Sequence, residues 1–175
     1  MEPQNLTSGK TRLADLIASV LATGFGAGRA PVAPGTFGAL EGLGLFILIN
    51  WASRSVGLSH LTQAVSLTVL NAVTFMVGVL ASNRVCRTLK QKDPSQVVID
   101  EVNGQMIALT PLVFSMSWPG VVVGFVLFRL FDIVKPYPIR ELERLPEGIG
   151  VMSDDVLAGI YGAVLLWLLC YLRVI

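Results

Sequence analysis

Five carboxylates sit where apolar runs begin or end: Asp100 and Glu101 in VVIDEVNGQM, Asp132 in FRLFDIVKPYPIR, and Asp154 and Asp155 in GVMSDDVLAGI. Acids brought together at a low-dielectric boundary repel one another unless something positive joins them. Hard oxygen ligands of this kind suit Mg²⁺, which binds a few carboxylates together with substrate phosphate. All five acids are therefore candidates for a catalytic set, and the adjacent pairs, Asp100 with Glu101 and Asp154 with Asp155, are the expected metal ligands. Arg129, Lys135 and Arg140 supply cations that match a phosphate. A metal in such a set positions and acidifies water, while the cations stabilise charge on a transferred phosphoryl group. Each group also has a plainer use. Ser153, Asp154 and Asp155 suit the start of a helix, where they bond its free N–H groups and face the positive end of its dipole. Arg129, Asp132 and Lys135, spaced three apart, suit one helical face carrying an ion pair and snorkelling cations.

A further anion contact is offered by GFGAGRAPVAPGTFGAL, residues 24–40. Backbone N–H groups of a glycine-rich loop can approach a phosphate, with Gly35 in the loop and Thr36 placed to bond it. The stretch lacks the Lys that a P-loop requires, and a plain turn at the membrane surface is the competing reading. Glu41, just inside the next apolar run, is a functional candidate because intramembrane acids are costly. RTLKQKDPSQ reads as a polar loop whose charges set topology.

The elements that must carry these residues are membrane helices. Of 175 residues, 53% are hydrophobic and only 14% charged, against about 25% charged in average soluble domains; mean hydropathy is +0.68. The length suits one domain over residues 1–175. A net charge of +1 leaves no electrostatic footprint for nucleic acid. Cys86 and Cys170 fit no metal-ligand spacing and read as free thiols. The polar start MEPQNLTSGKTR is not followed by an apolar signal core. Leu13, Leu16, Ile17, Val20 and Leu21 then recur at helical spacing, predicting a short amphipathic helix that lies on the membrane surface or packs in the core. Four apolar regions follow, at 37–51, 61–82, 102–131 and 156–172. The third is interrupted by SMSWPG and reads as a hairpin of two short helices turning at Pro119 and Gly120. The fold class is all-α: a polytopic membrane helical bundle with a short N-terminal amphipathic helix.

Orientation follows from charge. With the N-terminus in the cytoplasm and every segment crossing, residues 1–36, 83–101 and 129–155 share the cytoplasmic side. They hold Lys10, Arg12, Arg29, Arg84, Arg87, Lys90, Lys92, Arg129, Lys135, Arg140 and Arg144, leaving only Arg54 and Arg173 for the far side. The positive-inside rule favours this arrangement strongly. All five acids then land at the same cytoplasmic interface, although they were not used to choose it. That convergence argues for a site.

GFGAGRAPVAPGTFGAL, IDEVNG, FRLFDIVKPYPIRELE and GIGVMSDDVLAGI, in this order from residue 24 to residue 160, closely resemble the phosphatidylglycerophosphatase A family. Val102, Tyr137 and Ser153 depart from the residues usual there. The resemblance implies a bacterial inner-membrane enzyme, multi-pass, with its site facing the cytoplasm. It implies Mg²⁺-dependent hydrolysis of phosphatidylglycerophosphate to phosphatidylglycerol and inorganic phosphate. Other lipid phosphatases use paired histidines, and this chain has only His60, on the far side. The Asp-rich helical run of the CDP-alcohol phosphotransferases is absent. The non-enzyme alternative is a small membrane carrier or divalent-cation transporter using the interfacial carboxylates, which would place charges near the midplane.

Overall fold

The computed structural model describes the backbone of residues 5–175 and the side chains of residues 12–175, so Lys10 of the charge count lies outside the described side chains. The order is α1 (Asn5–Ala22), a 3₁₀ turn (Gly24–Arg29), α2 (Pro34–Ser55), α3 (His60–Leu89), α4 (Ile99–Leu109) prolonged by a 3₁₀ turn (Thr110–Val113), α5 (Trp118–Val134), α6 (Ile139–Leu142) and α7 (Glu147–Tyr171). No strand occurs among the described residues. Three of these helices, α2, α3 and α7, are long and apolar enough to cross a membrane.

The expected hairpin is α4 and α5. Ser117 caps α5, its Oγ accepting from Gly120 N at 3.1 Å, and Pro119 occupies the first turn, where its missing N–H leaves no bond unmade. With 11 and 17 residues, the arms fall short of the roughly 20 needed to span. α4 is instead enclosed by protein: Val102, Met106 and Leu109 are buried among Phe46, Leu67 and Leu166 of the surrounding helices.

Small residues set how closely those helices approach. A Cβ on Gly159 of α7 would collide with the carbonyl of Gly104 on α4, and one on Gly104 would lie 2.6 Å from the Asp155 carbonyl. Gly38 and Gly42 bring α2 onto α4 at Val98 and Val102 in the same way. Close backbone approach through small residues is how helices gain packing where lipid offers no hydrophobic drive.

The amphipathic helix is α1. Ala18 and Ala22 are buried against Ala81 and Val85 of α3, while Leu13, Leu16 and Ile17 are each more than half exposed. The first part of the apolar stripe therefore faces out of the protein, as a surface-lying helix requires, while Leu21 packs against the core, so α1 combines the two readings. Past Ser82, α3 continues as a polar extension, and an ion pair from Arg84 Nε to Asp15 Oδ1 at 2.5 Å ties it to α1. Cys86 and Cys170 are free thiols.

The largest departure from the sequence reading is the start of α7. The helix begins at Glu147, so Asp154 and Asp155 lie inside it and cap nothing. Gly148 lets α7 pack against the Val79 carbonyl and Asn83 of α3. Its N–H donates to Asn83 Oδ1 at 2.7 Å. The capping oxygen comes from another helix.

The α4–α7 contact predicts an asymmetric response to added bulk. Gly159→Val should overpack the crossing and cost about 1–3 kcal/mol. Gly44→Val is the control, because nothing lies within 4 Å of a Cβ there. Thermal unfolding in detergent should show a lower midpoint for Gly159→Val alone; equal midpoints would mean that the crossing relaxes without cost.

Candidate active site

The helix directions bring the start of α2, the start of α4, the end of α5 and the first turns of α7 to one end of the bundle. There they enclose a cavity of about 470 Å³. All five predicted acids line it, with Arg129, Lys135, Arg140 and Gly35. Thr36 does not. It lies in the first turn of α2, its N–H bonded to the Ala33 carbonyl at 2.9 Å, outside the cavity lining.

The glycine-rich stretch divides between two places. Pro34 and Gly35 reach the cavity, and a Cβ on Gly35 would collide with Glu101 Oε1 and lie 3.3 Å from Arg129 Nη1. Gly24, with φ +52°, packs instead against Glu41. Glu41 faces a separate, largely apolar cavity with Leu45, Val73 and Met106, so it is not part of the acid cluster.

Asp100, Glu101 and Asp155 each offer an oxygen within 4.8 Å of the others. Asp100 and Asp155 are 7% and 3% exposed. Asp100 Oδ1, Glu101 Oε2 and Asp155 Oδ2 are buried without a hydrogen-bond partner. Beyond burial itself, the strongest charges acting on Asp155 are Asp132, Glu101 and Asp154, all negative. Three carboxylates that approach this closely, each with an orphaned oxygen, are a fit for a hard divalent cation.

The other two acids have partners within the chain. Asp132 pairs with Arg129 at 2.7 Å on one face of α5. Asp154 Oδ2 accepts from Lys135 Nζ at 2.6 Å. Lys135 does not continue the face of Arg129 and Asp132, because it ends α5 in the left-handed conformation, with φ 46°. That turn carries its side chain to α7. Burial alone would lower the Lys135 pKa, but the bond to Asp154 and the charges of Asp154, Glu143 and Asp155 drive it above the ordinary lysine value.

The sequence reading passed over Lys92, Asp93 and Ser95, which also line the cavity. They belong to RTLKQKDPSQ, which folds back over the site. Pro94 is fully buried, Val98 N bonds the Ala22 carbonyl at 2.8 Å, and Gly28 lies against the Gln96 carbonyl. The available signal was the turn sequence Asp-Pro-Ser, which ends five positions before the acid pair.

Residues 20–170 match the profile described as Phosphatidylglycerophosphatase A. A Haemophilus influenzae phosphatidylglycerophosphatase A is 37% identical over 87% of this chain and 88% of its own length. The Escherichia coli protein of that name is 34% identical over 85% of this chain and 80% of its own. A Bacteroides thetaiotaomicron protein with a provisional phosphatidylinositol-3-phosphatase name is 41% identical over 84% of this chain and 89% of its own. No solved structure matches.

Lys135→Met should leave the buried Asp154 carboxylate unopposed. The expected destabilisation is about 2 kcal/mol, below the full cost for an entirely buried pair because Lys135 stays partly solvated. Adding Asp154→Asn should restore part of it. A double-mutant cycle on unfolding checks this, and a coupling under about 0.5 kcal/mol would show the pair to be screened.

Proposed function

The chain belongs to the phosphatidylglycerophosphatase A family of phosphatases, and from that premise we propose that it hydrolyses phosphatidylglycerophosphate with Mg²⁺ held by Asp100, Glu101 and Asp155. The observation that carries this reading is a trio of carboxylates that each offer an oxygen within 4.8 Å of the others and each keep a buried oxygen without a partner. When bound, the ion supplies a Lewis acid that offsets phosphate charge and acidifies water. The chain's own residues do the rest. Arg129, fixed by Asp132, presents a guanidinium to the terminal phosphate. Lys135 stays protonated because Asp154 holds it, which makes Asp154 a positioning residue for a cation. Gly35 keeps the backbone of α2 low over Glu101 and leaves room for the phosphate. Overall, water adds across the P–O ester bond, releasing the lipid alcohol and inorganic phosphate.

The carrier alternative required charges near the membrane midplane, whereas these acids gather at one end of the bundle. A second substrate has one observation in its favour, the name of the 41% identical relative. Phosphatidylinositol 3-phosphate and phosphatidylglycerophosphate both carry a phosphomonoester on a headgroup joined through a phosphodiester. Phosphate release from the two lipids, compared as kcat/KM, decides between them. Phosphatidylglycerophosphate is expected to win.

Purified protein should release phosphate with Mg²⁺, stop after exhaustive chelation and recover on re-addition. Asp155→Asn should fold normally yet lose about 10²-fold or more of turnover, the scale typical of removing a charge-stabilising group. Undiminished turnover after chelation would remove the metal from this reading. The bacterial inner membrane and the cytoplasmic facing of the site complete the proposal, on the one-sided cation count. After Cys86 and Cys170 are replaced, Gln91→Cys should label from the cytoplasm and Ser55→Cys from outside. Labelling of both from one side would reverse or break the topology.

A further inference from the structure

The cavity does not end at the acids. It continues to a rim that includes Lys92, Arg140, Glu143, Arg144 and Glu147. Most rim charges are committed elsewhere. Arg144 Nη1 pairs with Glu141 at 2.7 Å, Glu147 with Arg87 at 2.9 Å, and Glu143 reaches inward to Lys135 at 3.5 Å. Asp93, beside Lys92 in sequence, is influenced by Lys135 more than by any other charge. Two cations remain. Lys92 and Arg140 line the cavity and have no ion pair or side-chain hydrogen bond among the described residues.

Size points the same way. One phosphate, counted as five heavy atoms of water-like volume, fills about 150 Å³, under a third of the roughly 470 Å³ present. Depth agrees. Glu147 at the rim and Asp154 on the floor are seven residues apart on α7, about 10 Å along the axis. That is of the order spanned by two phosphates joined through three carbons.

We propose that Lys92 and Arg140 form a second phosphate subsite, which holds the phosphodiester of a lipid headgroup while its terminal monoester sits inside at Arg129 and Lys135. The inference rests on the phosphatase reading above and deepens it. The substrate class selected is a glycerophospholipid with a diester next to the lipid anchor and a monoester beyond it. A lipid with a monoester alone, such as phosphatidate, fills the inner site and leaves the rim cations unused.

The test measures kcat/KM for phosphatidylglycerophosphate and for phosphatidate in mixed micelles, using the full chain with Mg²⁺. Wild type should prefer the two-phosphate lipid. In the Lys92→Gln/Arg140→Gln double variant that preference should fall about tenfold, as a rise in KM, the size expected for losing charge-assisted hydrogen bonds. Arg144→Gln, whose cation is committed to Glu141, is the control and should keep the wild-type ratio. As a readout independent of turnover, glycerophosphoglycerol, a diester with no monoester, should bind wild type more tightly than the double variant by calorimetry without metal. An unchanged ratio in the double variant, or an equal fall with Arg144→Gln, overturns the subsite while leaving the phosphatase reading intact. Absence of phosphate release from both lipids by wild type overturns both.

Discussion

Gly104 and Gly159 put the backbones of α4 and α7 in contact, and that contact fixes how near Asp100 and Asp155 must lie. Asp100 is one turn before Gly104, and Asp155 one turn before Gly159, so neither acid can withdraw without breaking the crossing. Were both ionised, two like charges within 4.8 Å of each other would repel by about 3.5 kcal/mol or more at an effective dielectric constant near 20. Packing at the glycine crossing keeps the acids together despite the cost of charging both. Natural proteins concentrate such local conflicts at functional sites, where the missing counter-charge arrives with the ligand.

The five acids divide by what opposes them. Asp132 and Asp154 are ion-paired with Arg129 and Lys135, although Asp154 Oδ1 is itself unpartnered, whereas Asp100, Glu101 and Asp155 keep orphaned oxygens with no ion pair among the described residues. Asp154 and Asp155 fall on different sides of this division although they are neighbours in the chain. Successive helix residues are about 100° apart around the axis, so one faces the end of α5 and the other faces α4. A pair that looks redundant in sequence is therefore split: one acid is bonded to Lys135, and its neighbour gathers with Asp100 and Glu101.

Much of this was legible in the sequence because it depends on local rules. The apolar runs became α2, α3 and α7, SMSWPG became a capped hairpin turn, and charge asymmetry grouped the acids at one end. The errors came where a distant partner decides. Ser153 and the aspartates looked like a cap because Glu147–Met152 carries two glycines and little helix propensity, yet Asn83 on α3 caps that segment from outside. Lys135 looked like the third residue of a helical face, but Pro136 disfavours helical geometry before it, and the turn delivers Lys135 to Asp154. Lys92 looked like a topological charge because the Asp-Pro-Ser turn marks a change of direction without revealing that Pro94 buries itself and folds the loop over the cavity.

Membrane placement explains why the site needs cations at two depths. The three tryptophans, Trp51, Trp118 and Trp167, are all exposed and lie towards the end of the bundle opposite the acids, as an interfacial aromatic belt does. From Trp167 back to Glu147 is 20 residues of α7, about 30 Å, the thickness of the hydrocarbon core. On that measure Glu147 and the rim lie at or beyond the opposite interface, and the acid floor lies inside the same end of the bundle, shielded from lipid by protein. A phosphomonoester drawn to that depth gives up water and needs compensating charge there, while a phosphodiester tethered to the acyl chains remains at headgroup level. One lipid then presents anions at two heights, and the cavity has cations at both.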